Sequence, residues 1–149
     1  GVELGGILKN VIAIAVGVCD ALQLGTNARA ALVTRGLAEM IRVGSHLGAR
    51  PETFNGLSGL GDLLATCHSP LSRNYRVGYG LGQGRRLSQV LAEIEGTAEG
   101  VYTAPVVVKI AAQHNIRVPI TQEVHLLLQG QTTPPAALAR LMERQLTSE

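Results

Sequence analysis

Apolar residues along this chain recur at the three- and four-residue spacing of α-helices almost from end to end, and no useful run alternates with the period of two that a half-buried strand needs. Residues 3–22 are apolar nearly all round, as expected of a helix buried on every side. The break Gly25-Thr26-Asn27 follows, and Thr26 or Asn27 is placed to cap a second helix reaching about residue 47. On that helix Ala31, Leu32, Leu37, Met40 and Ile41 give an apolar side, while Arg35, Glu39 and Arg42 give a polar one. Gly48 to Pro51 reads as a turn, with Pro51 suited to the first position of a short helix. The glycine-rich passage Gly56-Leu-Ser-Gly59-Leu-Gly61 then runs into Asp62.

Beyond Ser69-Pro70 the pattern predicts a helix over 71–81, a short one capped by Ser88 and running to 95, and another over 99–114. Val118-Pro119-Ile120 reads as an extended link, and a helix starts at Thr121-Gln-Glu123 and ends near Gly130. The last helix follows Thr133-Pro134-Pro135, whose prolines suit a first turn, and reaches about 146. The expectation is one all-α, multi-helix domain over residues 1–149, without internal repeats.

Composition narrows the function classes. With 46% hydrophobic and 16% charged residues the chain is globular, and 149 residues suffice for a real core. Aromatics are only 3%, so the core is built from Leu, Val, Ile and Ala, and base-stacking platforms are excluded. A net charge of +2 is too small to indicate nucleic-acid binding. The apolar stretch between Lys9 and Asp20 is shorter than the ~20 residues that span a bilayer, and no basic amphipathic helix is visible, so no membrane insertion is expected.

Cys19 and Cys67 read as free thiols of a cytoplasmic protein. Neither they nor His46, His68, His114 and His125 have metal-site spacing, and no metal is expected. No signal peptide is expected either, and an opening on Gly1 instead of Met suggests a piece of something longer.

A dinucleotide-binding turn needs Gly-x-Gly-x-x-Gly between a strand and a helix. Gly59-Leu-Gly61 meets Leu64 at the third glycine's place, and Gly80-Leu-Gly82 meets Arg85. Neither follows a strand, so no Rossmann turn is expected in these residues.

The rarer charges point to candidate chemistry. Lysine occurs only at 9 and 109, and aspartate only at 20 and 62. Lys9 sits in an apolar helix behind Gly5 and Gly6, which leave room for a ligand; a lysine snorkelling from a helix end is the alternative. Asp62 and Thr66, four apart, share a helix face, and an N-cap aspartate with a core threonine is equally open. Ser72-Arg73-Asn74 places a hydroxyl, a guanidinium and an amide at a helix start, which suits a phosphate, although solvated residues after a turn look the same.

Gly6-Ile-Leu-Lys9-Asn10-Val-Ile-Ala-Ile-Ala-Val-Gly17, then Asp20 and Gly25-Thr-Asn27, resembles the signature segment of glycerol-3-phosphate dehydrogenases. The resemblance continues through Gly59-Leu-Gly61-Asp62-Leu-Leu-Ala-Thr66-Cys67, Ser72-Arg73-Asn74, Gly82-Gln-Gly84, Ala98-Glu99-Gly100-Val101 and Val118-Pro119-Ile120, nearly the whole chain. Serine ahead of Arg-Asn resembles the bacterial branch. The fold implied is the C-terminal domain of the 6-phosphogluconate dehydrogenase-like superfamily.

The resemblance also implies roles. Lys9 would exchange the proton of the C2 hydroxyl between glycerol 3-phosphate and dihydroxyacetone phosphate. Asn10, Asp62 and Thr66 would orient the lysine and substrate hydroxyls, and Ser72, Arg73 and Asn74 would bind the phosphate end. Arg73, Thr97 and Glu99 would contact NAD or NADP, although Thr97 stands where the family pattern has an aliphatic residue. Most cofactor contacts would come from an N-terminal Rossmann domain, and the parent would be a homodimer. These residues alone would then form a substrate-side half-site without turnover. A helical dimerisation module of a related dehydrogenase, with no ligand site, is the rival expectation.

Overall fold

The computed structural model describes residues 2–48, 63 and 72–144, with side chains described over 7–48, at 63 and over 72–143. Seven helices occupy these residues: α1 (Val2–Ala21), α2 (Thr26–His46), α3 (Arg73–Gly82), α4 (Leu87–Ala92), α5 (Gly100–His114), α6 (Pro119–Leu128) and α7 (Pro134–Arg144). No strand is present among the described residues, so the all-α expectation holds. The Pro51 helix, the glycine-rich passage, Asp62, Thr66 and Cys67 lie outside the described residues.

Helix α1 is the axis of the domain. It packs against α2, α3, α5 and α6, and every residue from Val11 to Cys19 is buried. Continuous apolarity produces this placement, since a helix with no polar face has to be covered on all sides. Each large aliphatic side chain so buried contributes about 1.5–3 kcal/mol. Burial, with Asp20 adding to it, also pushes the Cys19 thiol up to about 11, so it stays protonated and inert at neutral pH.

Helix α3 lies against α1 at main-chain distance. A Cβ built on Gly17 would stand 2.2 Å from the carbonyl oxygen of Tyr75, and one built on Gly78 would stand 1.9 Å from that of Ile14. Only glycine at both positions permits this approach. The pair is tied at its far end by Asp20. Arg29 of α2 donates from Nε to Asp20 Oδ1 at 3.0 Å, and the Tyr75 hydroxyl donates to Oδ2 at 2.6 Å. Burial, helped by the bond to Asp20, pushes the Tyr75 hydroxyl up to about 12.

Several local expectations are corrected. Glu39 is not on a solvated face of α2: it is 1% exposed. Its carboxylate accepts from the main-chain N–H of Ile120 (2.9 Å) and Thr121 (3.0 Å) and from the Thr121 hydroxyl (2.6 Å), closing the first turn of α6. Val118-Pro119-Ile120 is not an extended link, because Pro119 opens α6 at a position where its missing N–H costs nothing.

Neither Thr26 nor Asn27 caps α2. Gly25 does so with φ +98° and no side-chain bond, which leaves Thr26 already inside the helix. Ser88 does not cap α4: the cap is Arg86, whose N–H donates to the Gln89 side chain at 3.3 Å, and the helix stops at Ala92 instead of 95. Thr133 does serve α7, its hydroxyl accepting from Ala136 N at 3.3 Å.

Glu39→Gln exchanges one acceptor oxygen for an N–H that faces a main-chain donor, so stability should fall by about 1–3 kcal/mol in chemical denaturation. Tyr75 has its folded-state pKa raised, so the stability it contributes is complete below pH 10 and is lost as pH rises toward about 12. Tyr75→Phe should flatten that alkaline decline in melting temperature measured against pH.

Candidate functional site

The α1–α3 contact brings together residues that lie far apart in the sequence. Lys9 and Asn10 occupy neighbouring, half-buried positions on α1. Ser72 caps α3 with φ −63° and ψ 125°, and its hydroxyl accepts from Tyr75 N at 3.3 Å. A serine just ahead of a helix does this readily, since its short side chain satisfies a first-turn N–H. Arg73, the next residue, is exposed, and its Nε donates to the main-chain oxygen of Glu95 at 2.8 Å.

Asn74 has a structural duty that the sequence did not suggest. It is buried, and its Oδ1 accepts from Gly100 N at 2.8 Å, joining α3 to the first turn of α5. Gly100 has no room for a side chain: a Cβ there would meet Asn74 Oδ1 and Ile14 Cδ1 at 2.9 Å and the Asn10 carbonyl at 3.0 Å. Three helices therefore meet at one point, to which the starts of α3 and α5 both contribute residues. Main-chain N–H groups at such ends favour anionic oxygens.

A cleft of about 600 Å³ opens at this junction. Asn10, Ser72, Arg73, Asn74, Thr97 and Glu99 all line it, which gathers six of the nine expected site residues. Lys9 is not part of that lining, although it immediately precedes Asn10 on α1. Asp62 and Thr66 lie outside the described residues.

The sequence reading missed two members of the wall, Arg76 and Glu95. Arg76 was findable, since it follows Arg73 by three positions on the same helix and therefore shares its face. It also lines a second cavity, of about 380 Å³, beside Tyr75, Tyr79 and Arg85. Glu95 acts on Arg73 through its main-chain oxygen, which no residue-type signal reveals.

The cleft is thus cationic at Arg73 and Arg76, lined by the polar side chains of Asn10, Ser72, Asn74 and Thr97, and furnished with carboxylates at Glu95 and Glu99. Such a lining suits a small polyhydroxylated or phosphorylated molecule. Among the described residues no group of His, Cys, Asp or Glu could hold a metal ion, and no helix is long and apolar enough to cross a membrane.

The comparisons with known proteins agree with one another. A family model described as NAD-dependent glycerol-3-phosphate dehydrogenase C-terminus matches residues 1–139. The chain is 96% identical over its full length to a glycerol-3-phosphate dehydrogenase [NAD(P)+] from Synechococcus sp. (strain JA-3-3Ab), covering 48% of that protein. It is 66% identical over its full length to the one from Trichormus variabilis, again covering 48%. A crystal structure of glycerol-3-phosphate dehydrogenase from Coxiella burnetii superposes with a TM-score of 0.92 at 46% identity, over 97% of this chain and 44% of that one. The chain spans about half the length of the curated relatives it matches. It belongs to the NAD-dependent glycerol-3-phosphate dehydrogenase family and corresponds to that family's C-terminal region.

Proposed function

We propose that this chain is the substrate-side half of an NAD(P)-dependent enzyme that interconverts sn-glycerol 3-phosphate and dihydroxyacetone phosphate. The observation that carries this reading is the single cleft that gathers Asn10, Ser72, Arg73, Asn74, Thr97 and Glu99 from three separate parts of the chain. A second half of the parent enzyme, an N-terminal Rossmann domain, would close the cleft and hold most of the nucleotide. The family resemblance further implies a cytoplasmic homodimer.

The residues present fit both ligands. Arg73, its neighbours Ser72 and Asn74, and the start of α3 supply charge and donors for a phosphate. Glu99, at the N-cap of α5, supplies an exposed carboxylate acceptor for a cofactor hydroxyl or amide. A nicotinamide bound beside these residues would supply the hydride acceptor or donor for C2.

The chain's own residues do the remaining work. Arg73 and Ser72 fix the phosphate end, which sets the distance from phosphorus to C2. Asn10, Asp62 and Thr66 hold the hydroxyls and orient the Lys9 amine. Lys9 accepts the C2 hydroxyl proton in the oxidative direction and donates one to the carbonyl oxygen in the reverse direction. Asn74 keeps the Glu99–Gly100 turn pinned to α3, so the phosphate and cofactor contacts belong to one rigid unit.

Both roles can be tested with the chain fused behind the N-terminal half of its 96%-identical Synechococcus relative. Lys9→Ala should lower kcat by roughly 10²–10⁴-fold, the scale of a lost general base. A kcat equal to that of the unmodified fusion removes Lys9 from the mechanism. Arg73→Lys keeps the charge but loses the fork, so kcat/KM for glycerol 3-phosphate should fall by the equivalent of about 1.5–3 kcal/mol. Glycerol, which has no phosphate, should remain an equally poor substrate for both forms.

A further inference from the structure

The guanidinium of Arg73 lies against a bare piece of main chain. Its Nε donates to Glu95 O at 2.8 Å. A Cβ built on Gly96 would stand 2.8 Å from Arg73 Cζ and Nε and 2.9 Å from the second η-nitrogen. Real side chains do not tolerate such distances, so the arginine occupies the space that a side chain at 96 would fill. Gly96 also has φ +88°, a conformation that favours glycine on its own account.

The two sides of this contact are unequally stiff. Just downstream of Gly96, the start of α5 is fixed by the Gly100–Asn74 bond. Arg73 is instead the far end of a long, exposed side chain. If the space were filled, the guanidinium would be displaced and the turn would stay.

We propose that Gly96 is a positioning residue for Arg73. The side-chain-free seat at 96 and the Glu95 carbonyl together hold the guanidinium flat before any ligand arrives. This inference rests on the reading of Arg73 as the phosphate anchor, and it adds a direction of approach. With Nε–H committed to Glu95, the side-on pair of donors (Nε with one η-nitrogen) is unavailable. The phosphate meets the end-on pair, the two η-nitrogens. Holding the side chain in advance removes the rotamer entropy that an unrestrained arginine loses on binding.

The experiment follows the Arg73 Nε–H resonance by NMR, assigned by its disappearance in Arg73→Lys, while inorganic phosphate is titrated into the chain. Gly96→Ala should abolish the protected Nε–H signal and weaken phosphate binding about tenfold, the scale of a charge-assisted contact. Gly96→Asn adds a Cβ while tolerating positive φ better, so it should displace Arg73 in the same way with a smaller loss of melting temperature.

In an Arg73→Ala background, Gly96→Ala should weaken phosphate no further, because its effect passes through Arg73. Retention of the Nε–H signal in both Gly96 variants overturns the proposal. An equal loss of phosphate affinity with and without Arg73 also overturns it. If the signal is lost in the variants but the unmodified chain shows no response to phosphate, the phosphate reading of Arg73 fails and the seat at Gly96 stands.

Discussion

The contact between α1 and α3 at Gly17 and Gly78 governs where everything else stands. Two helices normally run 8–10 Å apart because side chains separate them. Here each helix offers a glycine where the other presents a carbonyl, at Tyr75 and Ile14. A methyl group at either position would push the axes apart. Asn10 and the Ser72-Arg73-Asn74 start of α3 would then no longer share a cleft. Gly100 repeats the device a third time, admitting the start of α5 against Asn10 and Asn74. The cleft is therefore a consequence of close main-chain packing, and its polar residues are carried into place by the apolar ones behind them.

Buried and half-buried polar groups are used here to fasten helix ends. Glu39 closes the start of α6, Asn74 holds the start of α5, and Asp20 joins the end of α1 to α2 and α3. Each is satisfied by donors that a helix terminus or a neighbouring side chain must in any case place somewhere. The Glu39 carboxyl shows the balance of forces. Burial pushes it above the usual carboxylate range, while the bonds from Thr121 and Ile120 pull the other way without cancelling that effect. For a carboxyl shifted upward, the fold is favoured at low pH and loses that contribution as pH rises past the ordinary carboxylate value near 4.5. The bonds to α6 are thus maintained against a standing electrostatic cost.

How much of this was legible in the sequence depended on whether the deciding force was local. Helix α1 was legible because its burial is written in its own unbroken apolar run. Ser72 was legible because an N-cap is a matter of one side chain and the turn after it. Glu39 was not, because its position beside Arg35 and Arg42 points to solvent. What overrides that is the start of α6, 81 residues away along the chain. The cap of α2 failed for the opposite reason. Asn27 is a better cap residue than glycine in general and Thr26 an equal one, but the positive φ that the turn demands fell at Gly25.

The candidate site divides along the same line. Spacing within one segment grouped Ser72 with Arg73 and Asn74, and family resemblance added Asn10, Thr97 and Glu99. Neither source revealed that Asn74 spends its carbonyl oxygen on Gly100. That bond has a consequence for how the cleft works. With its oxygen held by that main-chain donor, the Asn74 amide is fixed in orientation and its nitrogen remains as a donor for a ligand. Arg73 is similarly half-committed, through Nε, to Glu95. Both side chains at the start of α3 therefore reach the cleft already fixed at one atom, with their remaining N–H groups oriented. A ligand here meets fixed donors, and the cost of arranging them was met when the three helices packed.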